Sequence, residues 1–367
     1  MIALGKWQGY ARLTTNLSSF ELNMPPFLPP WYLASGLAMT VYTAKVASQL
    51  WQNQTPDPEP EYRSHVFAGA GDVPIYGLVA IPPRAKGTII GTYGITGDLD
   101  NQWFLQILGR KAFAQGYGVV LFDWRAHGKT AVLSPTLTSD GLYEGEDFVQ
   151  IAAQSKVLGC PAPFWFTGYS LGGQLALWGV KAAQTITDAD IASEDIRGGA
   201  VICPSLDSER SLRYLTAHPL GQYIEKAIAQ QLNKLAWKLH QDHPGQFDPA
   251  AIERANSIWG FDQELVIGRL GFESVEDYYS ASSPLPLLPH LSKPTQILYA
   301  ADDPLFEPTL VADLRTACAG NPAIDLVLTP HGGHVGYISS AEGQAIAGDP
   351  DPWWAWNRVL DWCEASA

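Results

Sequence analysis

The sequence predicts an α/β fold in which helices cover both faces of a mostly parallel β-sheet. Short β-rich runs alternate with helical stretches through most of the chain, and this alternation is typical of parallel strands joined by crossover helices. Two early runs flank a glycine-containing turn, which is the pattern of an antiparallel hairpin. Between residues 204 and 291 the alternation stops, and helical stretches occur without a convincing strand. We therefore expect one α/β core that carries a mainly helical insertion.

The composition and charge of the chain exclude several functional classes. Of its 367 residues, 46% are apolar and 16% are charged, which supplies a large buried core and excludes a disordered chain. The formal net charge is −14 and no run of lysines or arginines occurs, so we expect no nucleic-acid partner. The 4 cysteines lie far apart without metal-ligand spacing. We interpret them as buried thiols rather than nucleophiles.

An N-terminal arm is expected at residues 1–60. Its first twenty residues contain charged positions and no continuous apolar stretch before a small-residue cleavage site, so we expect no export signal and a cytoplasmic protein. Residues 31–44 are the most apolar part of the arm, but they are shorter than the roughly 20 residues that a membrane span requires. We expect a helix that lies either on the core or at a membrane interface, where it would give the protein a peripheral membrane contact.

The α/β core is expected at residues 61–203 and 292–367. It begins after a linker rich in proline and glutamate, where residues 64–67 and 73–82 predict the two strands of the antiparallel hairpin. The later strands belong to the parallel part of the sheet. They are predicted at residues 87–92, 117–122, 163–167, 200–203, 295–299 and 324–328.

Helices are predicted between the strands, in the insertion and at the end of the chain. Apolar residues recur at helical spacing from residue 103 to residue 113, and Gly116 closes this crossover helix. The insertion at residues 204–291 has the size of a small cap domain. A tryptophan-rich amphipathic stretch at residues 353–363 predicts a terminal helix packed on the sheet. Within the cap, helical stretches are predicted at residues 220–239 and 249–259.

A serine nucleophile is predicted at Ser170. The sequence Gly-Tyr-Ser-Leu-Gly at residues 168–172 follows an apolar strand-like run and precedes a helical one. Glycines two positions before and two positions after the serine leave room for a strained strand-to-helix turn, which exposes the hydroxyl at a helix N-terminus. The strand and helix context distinguishes this pattern from a chance match.

A serine hydroxyl needs a histidine to accept its proton and a carboxylate to orient that histidine. Adjacent carboxylates, Asp302 and Asp303, follow the predicted strand at residues 295–299. One carboxylate of such a pair often caps the loop, and we favour Asp303, next to Pro304, as the acid. Asp302 is the alternative.

The histidine base is predicted at His334. Two histidines follow the predicted strand at residues 324–328, and the order serine, aspartate, histidine along the chain is typical of hydrolases with this sheet. We favour His334 because two glycines precede it and let the loop turn inward, and His331 is the alternative. The spacing of the remaining histidines, which are His65, His127, His218, His240, His243 and His290, suggests no metal site.

Two backbone N–H groups are predicted to bind the oxyanion of the reaction. One belongs to Leu171, directly after the nucleophile, and the other to Ile95, in the glycine-rich loop at residues 91–97. Such a loop after a strand is also found at phosphate sites, but this one lacks the G-x-G-x-x-G and Walker spacings. We expect neither a cofactor nor a metal ion.

Further short motifs are spread over most of the sequence, and with them the chain resembles the YheT-like branch of the α/β-hydrolase superfamily, related to the animal ABHD lipases. The motifs lie at residues 27–31 (FLPPW), 35–40 (SGLAMT), 168–173 (GYSLGG), 271–272 (GF), 277–279 (DYY), 302–304 (DDP) and 331–336 (HGGHVG).

The resemblance implies an α/β-hydrolase fold and a serine hydrolase of carboxylic esters, with Ser170, Asp303 and His334 as its triad. The chain departs from the family at two places. Tyr93 stands in the oxyanion loop where the family usually has histidine, and the family's Asn-Gly-His-Leu-Gln-Thr pattern appears here as residues 35–40. These changes should alter the pocket without removing the oxyanion hole, because its donors belong to the backbone.

We therefore expect an esterase or lipase-like enzyme that cleaves a small-molecule ester or a lipid through an acyl-serine intermediate. Thioesterase or acyltransferase chemistry on the same triad is an alternative. A second alternative, from another class, is a non-catalytic relative that binds an apolar ligand or a partner. The sequence leaves open the acyl length, the head group and the oligomeric state.

Overall fold

The computed structural model describes residues 24–186 and 190–367 and contains one sheet of eight strands. The strands are β1 Arg63–Ala68, β2 Pro74–Ala80, β3 Thr88–Thr92, β4 Gly118–Phe122, β5 Phe164–Tyr169, β6 Ile196–Ile202, β7 Thr295–Ala300 and β8 Ile324–Thr329. Their order in the sheet is β1-β2-β4-β3-β5-β6-β7-β8. β2 pairs antiparallel with both β1 and β4, and every later pairing is parallel. The α/β-hydrolase fold predicted from the sequence is confirmed.

The central strands account for the continuous apolar runs in the sequence. Every residue of β3, β4, β5 and β7 is buried, because helices cover both faces of the sheet there. Strands buried on both faces have continuous apolar runs instead of the alternating pattern of a sheet with one exposed face. The edge strand β1 is largely exposed.

Helices flank the sheet, form the cap and close the chain. They are α1 Gly36–Tyr42, α2 Ser48–Gln54, α3 Trp103–Ala114, α4 Thr130–Leu133, α5 Glu144–Val157, α6 Leu171–Ala182, α7 Ser208–Thr216, α8 Pro219–Asp242, α9 Pro249–Arg254, α10 Ile258–Phe261, α11 Ile267–Leu270, α12 Val275–Ser282, α13 Leu310–Cys318, α14 Ala341–Ala347 and α15 Trp354–Ala365. Turns of π-helix lie at Thr43–Ala47 and Asp262–Val266, and 3₁₀ turns lie at Trp31–Leu33, Ala70–Asp72, Ala183–Thr185, Ser193–Asp195 and Leu285–His290.

The segment at residues 204–291, which we call the cap, contains α7 to α12 and no strand. Most of its buried apolar residues form a hydrophobic cluster of their own, which also includes Ala126, Ala131 and Leu137 from the segment after β4. The predicted helical stretch at residues 249–259 is two helices, because Ser257 interrupts it and caps α10 by accepting a hydrogen bond from the Gly260 N–H.

The N-terminal arm packs on the core through part of its surface. Phe27, Met39 and Trp51 are buried, whereas Trp31 is 87% exposed. Leu37, Val41, Val46 and Leu50 are also exposed, at spacings of four, five and four residues. The π-helical turn at Thr43–Ala47 adds the extra residue, which keeps these four side chains on one outer face. Packing of the arm on the core is therefore observed, and contact of its outer face with a membrane stays a prediction.

The sequence predicts that the chain has neither an export signal nor a membrane span in its N-terminal arm. The prediction that no export signal is present falls on the first twenty residues, which lie outside the described residues. Within residues 24–186 and 190–367, no helix has both the length and the apolar character needed to cross a membrane.

The terminal helix α15 packs on the sheet as predicted. Trp354, Trp356 and Trp362 are buried in the same core cluster as the central strands. The indole N–H of Trp362 donates to a carboxylate oxygen of Asp325 at 2.7 Å, which ties the helix to β8. A buried ion pair between Lys111 and Asp351 joins α3 to the segment that leads into α15.

A buried histidine lies between the core and the cap. His127 follows β4, stacks on Trp124 with 3.6 Å between ring centroids, and contacts the Arg125 carbonyl through Nδ1 at 3.0 Å. Burial is the main cause that lowers its pKa to about 4. The imidazole is therefore neutral in the folded protein at neutral pH.

We predict that His127 makes the fold less stable in mild acid. Its pKa is lower in the folded than in the unfolded chain, so the unfolded chain binds more protons and stability falls as pH drops from about 6.5 to about 4. Between pH 7 and pH 4, the free energy of unfolding of the wild type should fall by up to about 3 kcal/mol more than that of His127→Phe. Urea unfolding of both proteins at several pH values measures this difference.

The comparison isolates His127 because both proteins share the other buried titratable groups. Burial raises the pKa of Asp123 and of Asp147 to about 6, and these shifts make the fold more stable, not less, as pH falls. Parallel pH profiles for the two proteins would contradict the prediction.

Candidate active site

Ser170 lies in a sharp turn between β5 and α6. Its backbone has φ of 54° and ψ of −128°, a conformation that side-chain-bearing residues rarely adopt. A β-carbon on Gly168 would lie 2.2 Å from the Gly172 carbonyl oxygen, and one on Gly172 would lie 2.4 Å from the Tyr93 carbonyl oxygen. Only glycine fits at these two positions, which explains the G-x-S-x-G pattern physically.

The structure joins Ser170, His334 and Asp303 by hydrogen bonds. His334 Nε2 lies 2.9 Å from Ser170 Oγ, and His334 Nδ1 lies 2.8 Å from an Asp303 carboxylate oxygen. The other Asp303 oxygen accepts a hydrogen bond from the Leu305 N–H at 2.9 Å. The Asp303 side chain is 2% exposed and that of His334 is 11% exposed, so little water reaches the contact between them. The residues come from the ends of β5, β7 and β8.

Asp302 and His331, the alternatives from the sequence, contact each other instead. One Asp302 oxygen lies 3.2 Å from His331 Nδ1, and the other accepts a hydrogen bond from the Gly333 N–H at 3.0 Å. The His331 side chain is 45% exposed. Asp302 therefore braces the loop that carries His334, while Asp303 contacts the His334 ring itself.

Apolar groups surround the histidine. The Phe306 ring meets the His334 ring edge to face, with 5.2 Å between their centroids. Cys203, at the end of β6, lies behind the histidine loop and directs its thiol toward the Gly333 carbonyl at 3.7 Å. Burial raises the pKa of the Cys203 thiol, so this sulfur stays protonated. All four cysteines are buried thiols, as predicted.

The glycine-rich loop after β3 passes directly over the nucleophile. A β-carbon on Gly94 would lie 3.0 Å from Ser170 Cβ and 3.4 Å from Ser170 Oγ. In the described part of the chain, neither the Ile95 N–H nor the Leu171 N–H donates to another protein group. Both predicted donors therefore belong to segments next to Ser170 and remain available for a ligand.

Tyr93 anchors this loop to the core. Its hydroxyl donates to an Asp123 carboxylate oxygen at 2.6 Å, and the Leu99 N–H donates to the same oxygen at 2.9 Å. The Lys129 N–H donates to the second oxygen at 2.8 Å. Burial raises the pKa of Asp123 to about 6, and these hydrogen bonds oppose the shift. The sequence identified Tyr93 only as a departure from the family and did not predict this anchor.

The cap begins beside the nucleophile. The Ser205 N–H donates to the Ser170 carbonyl at 3.3 Å, and a β-carbon on Gly173 would lie 3.2 Å from Pro204. Ile95 packs against both the core cluster and the cap cluster. Ser170 therefore lies at the junction of core and cap. Tyr278 and Tyr279, from the motif at residues 277–279, are buried in the cap cluster.

The N-terminal arm reaches the same site. The backbone N–H of His334 donates to Thr40 Oγ at 2.8 Å, although these residues are 294 positions apart in the chain. The sequence offered one signal, the motif at residues 35–40, but no pattern indicated which part of the core the motif contacts.

Among the described residues, no group of three or more histidine, cysteine, aspartate or glutamate side chains is arranged to hold a metal ion.

We predict that the backbone at Ser170 is strained. Ser170→Ala and Ser170→Gly both remove the hydroxyl, but only glycine adopts a φ of 54° without steric cost. The glycine variant should therefore be more stable than the alanine variant by about 1 kcal/mol in urea unfolding. At Ser155, in the last turn of α5, the same pair of variants should show the opposite order. Greater stability of the alanine variant at both positions would show that the turn is unstrained.

Comparison with known proteins identifies the family. The model of the "Alpha/beta hydrolase family" matches residues 96–347. A protein from Synechocystis sp. named "Putative esterase slr0264" is 59% identical over 349 residues, which cover 93% of this chain and 95% of that protein.

More distant relatives align over part of their length. Human "Phospholipase ABHD3" is 27% identical over 253 residues, which cover 69% of this chain and 59% of the phospholipase. The Escherichia coli protein named "Putative esterase YheT" is 27% identical over 204 residues, which cover 55% of each chain.

Solved structures agree in fold. The Pyrococcus furiosus esterase Pf2001 has a TM-score of 0.50 at 15% identity, with 94% of this chain and 99% of the esterase covered. An acylaminoacyl peptidase has a TM-score of 0.52 at 14% identity, with 87% of this chain and 43% of the peptidase covered. The chain therefore belongs to the alpha/beta hydrolase family, in the branch that includes YheT and the ABHD3 phospholipases.

Proposed function

We propose that the protein is a serine hydrolase that cleaves carboxylic esters through an acyl-serine intermediate. The observation that carries this proposal is the hydrogen-bonded chain from Ser170 Oγ through His334 to Asp303. Ser170 is the nucleophile, His334 is the general base, and Asp303 orients the imidazole. The similarity to proteins named as esterases supports the same reaction class.

Acylation begins when Ser170 Oγ attacks the ester carbonyl carbon and His334 Nε2 takes the hydroxyl proton. This direction of transfer requires the imidazole proton to sit on Nδ1, where the Asp303 carboxylate accepts its hydrogen bond. The carbonyl oxygen becomes an oxyanion. The backbone N–H groups of Leu171 and Ile95 are the proposed donors to that oxygen, and their lack of a protein partner in the described residues supports the assignment.

The imidazolium then completes the reaction. It gives its proton to the leaving alkoxide as the carbon–oxygen bond breaks, and the alcohol departs. Water enters, His334 accepts one of its protons, and the resulting hydroxide attacks the acyl carbon. The second tetrahedral intermediate collapses, His334 returns the proton to Ser170 Oγ, and a carboxylic acid leaves.

The substrate class we propose is an ester with an apolar acyl chain. Phe306 packs against the His334 ring, and Ile95, in the loop over Ser170, packs against both the core cluster and the cap cluster. Apolar walls bind an acyl chain by removing its surface from water. The name of the relative "Phospholipase ABHD3" is consistent with a lipid ester.

We predict that purified protein hydrolyses p-nitrophenyl esters without added metal and that a fluorophosphonate probe labels Ser170. Ser170→Ala should reduce kcat/KM by at least about 10³-fold and abolish labelling, because the nucleophile is lost. Hydrolysis rates across acyl chains of increasing length, with the labelled peptide identified by mass spectrometry, measure both points. A folded wild type that neither cleaves an ester nor takes up the probe would favour a binding function.

We predict that Asp303 and Asp302 differ sharply in catalysis. Asp303→Asn should reduce kcat on the order of 10³- to 10⁴-fold, because an amide no longer fixes the proton on His334 Nδ1. Asp302→Asn should reduce kcat less than about tenfold, because its amide oxygen still accepts the hydrogen bond from Gly333. Steady-state kinetics on one ester measure the pair. A larger loss in Asp302→Asn would assign the acid to Asp302.

A further inference from the structure

We propose that Thr40, on helix α1 of the N-terminal arm, is a positioning residue that holds His334 at the correct distance from Ser170. The inference rests on the proposed function, since it assigns the arm to the site of that reaction. It makes the arm a part of the catalytic site, although the arm lies outside the residues that match the family model.

The Thr40 hydroxyl uses both of its hydrogen-bonding directions. It accepts from the His334 backbone N–H at 2.8 Å and donates to the Gly36 carbonyl at 2.7 Å. A hydroxyl that donates and accepts at once has a fixed orientation. The His334 amide is therefore held at a defined point, and the imidazole, which is attached to the same residue, is held with it.

Helix α1 is itself seated against the catalytic loops at backbone distance. A β-carbon on Gly36 would lie 1.7 Å from the Asp302 carbonyl oxygen, and one on Gly333 would lie 2.5 Å from the Gly36 carbonyl oxygen. No side chain fits between these segments. The position of Thr40 relative to both the acid loop and the histidine loop is thus set by backbone contacts, which are stiffer than contacts between long side chains.

The carboxylates that anchor the histidine loop do not bind the His334 N–H. Asp302 binds the Gly333 N–H, and Asp303 binds the far side of the ring through Nδ1. His334 also lies next to Val335 and near Tyr337, which have positive φ of 55° and 42°. A loop with this backbone needs external contacts to keep its shape. Among the described contacts, Thr40 Oγ is the only acceptor for the His334 N–H. The other contact to the same peptide group is the weak one between the Cys203 thiol and the Gly333 carbonyl at 3.7 Å.

Thr43 supplies a matched control on the same arm. It is buried in the next turn, and its hydroxyl has no hydrogen-bond partner within the part of the chain that the structure describes. A β-carbon on Gly336 would lie 2.6 Å from Thr43 Oγ, so Thr43 also touches the histidine loop. Thr40→Val and Thr43→Val therefore remove the same atom from the same interface, and only the first deletes a bond to His334.

The experiment compares Thr40→Val, Thr40→Ser and Thr43→Val in the full-length chain. We expect Thr40→Val to lower kcat for a p-nitrophenyl ester by about 10- to 100-fold with KM within about twofold, as for a misplaced catalytic group. Thr40→Ser should restore kcat to within about threefold, and Thr43→Val should keep the wild-type kcat. Melting temperatures of all four proteins identify any loss of kcat that comes from unfolding.

A second measurement, by NMR, reports on the position of the His334 ring and does not require that the protein cleaves an ester. The far-downfield proton resonance of the His334–Asp303 hydrogen bond, assigned by its loss in Asp303→Asn, should broaden or shift in Thr40→Val and stay in place in Thr43→Val. Wild-type kcat together with an unchanged resonance in Thr40→Val would overturn the proposal. If the wild type cleaves no ester, the proposed function fails, and the resonance still decides the role of Thr40.

Discussion

The hydrogen bond between Ser170 Oγ and His334 Nε2 is the contact on which the arrangement of the sheet's carboxyl edge depends. Its partners are 164 residues apart in the chain, and they meet because parallel strands place their carboxyl ends at one edge. A hydrogen bond of 2.9 Å tolerates little displacement of either residue, and a different structural feature holds each residue in place. On the serine side it is the turn between β5 and α6, and on the histidine side it is the set of contacts from Asp303, Asp302 and Thr40.

These features depend on close backbone contacts, which explains why several glycines lie around the site. Gly168, Gly172, Gly36 and Gly333 each bring two backbone segments closer than any side chain would allow, and Gly94 brings its loop close to the Ser170 side chain. The resulting site is built from backbone on backbone, with few flexible side chains between its parts. Stiffness of this kind is what a reaction with narrow geometric limits requires.

Much of this arrangement could be predicted from the sequence. The central strands were predictable because they are buried on both faces, and Ser170 was predictable because its turn leaves a glycine pattern. The choice between Asp302 and Asp303 was harder, since neighbours in a loop differ only in where their side chains point. The contacts of Thr40 and Tyr93 left no local pattern, because each depends on a segment distant in sequence. The break at Ser257 was missed because helical spacing continues across it.

The bond between Thr40 and His334 also has a consequence for biosynthesis. Thr40 is made early and His334 is made late, so the arm must wait for most of the chain before its partner exists. Contacts between such distant residues carry a high loop-closure cost and form late in folding. A chain that stops before residue 334 contains the residues of the elbow and of all eight strands, yet it cannot form this contact. The final alignment of the histidine thereby depends on a contact between residues that are 294 positions apart.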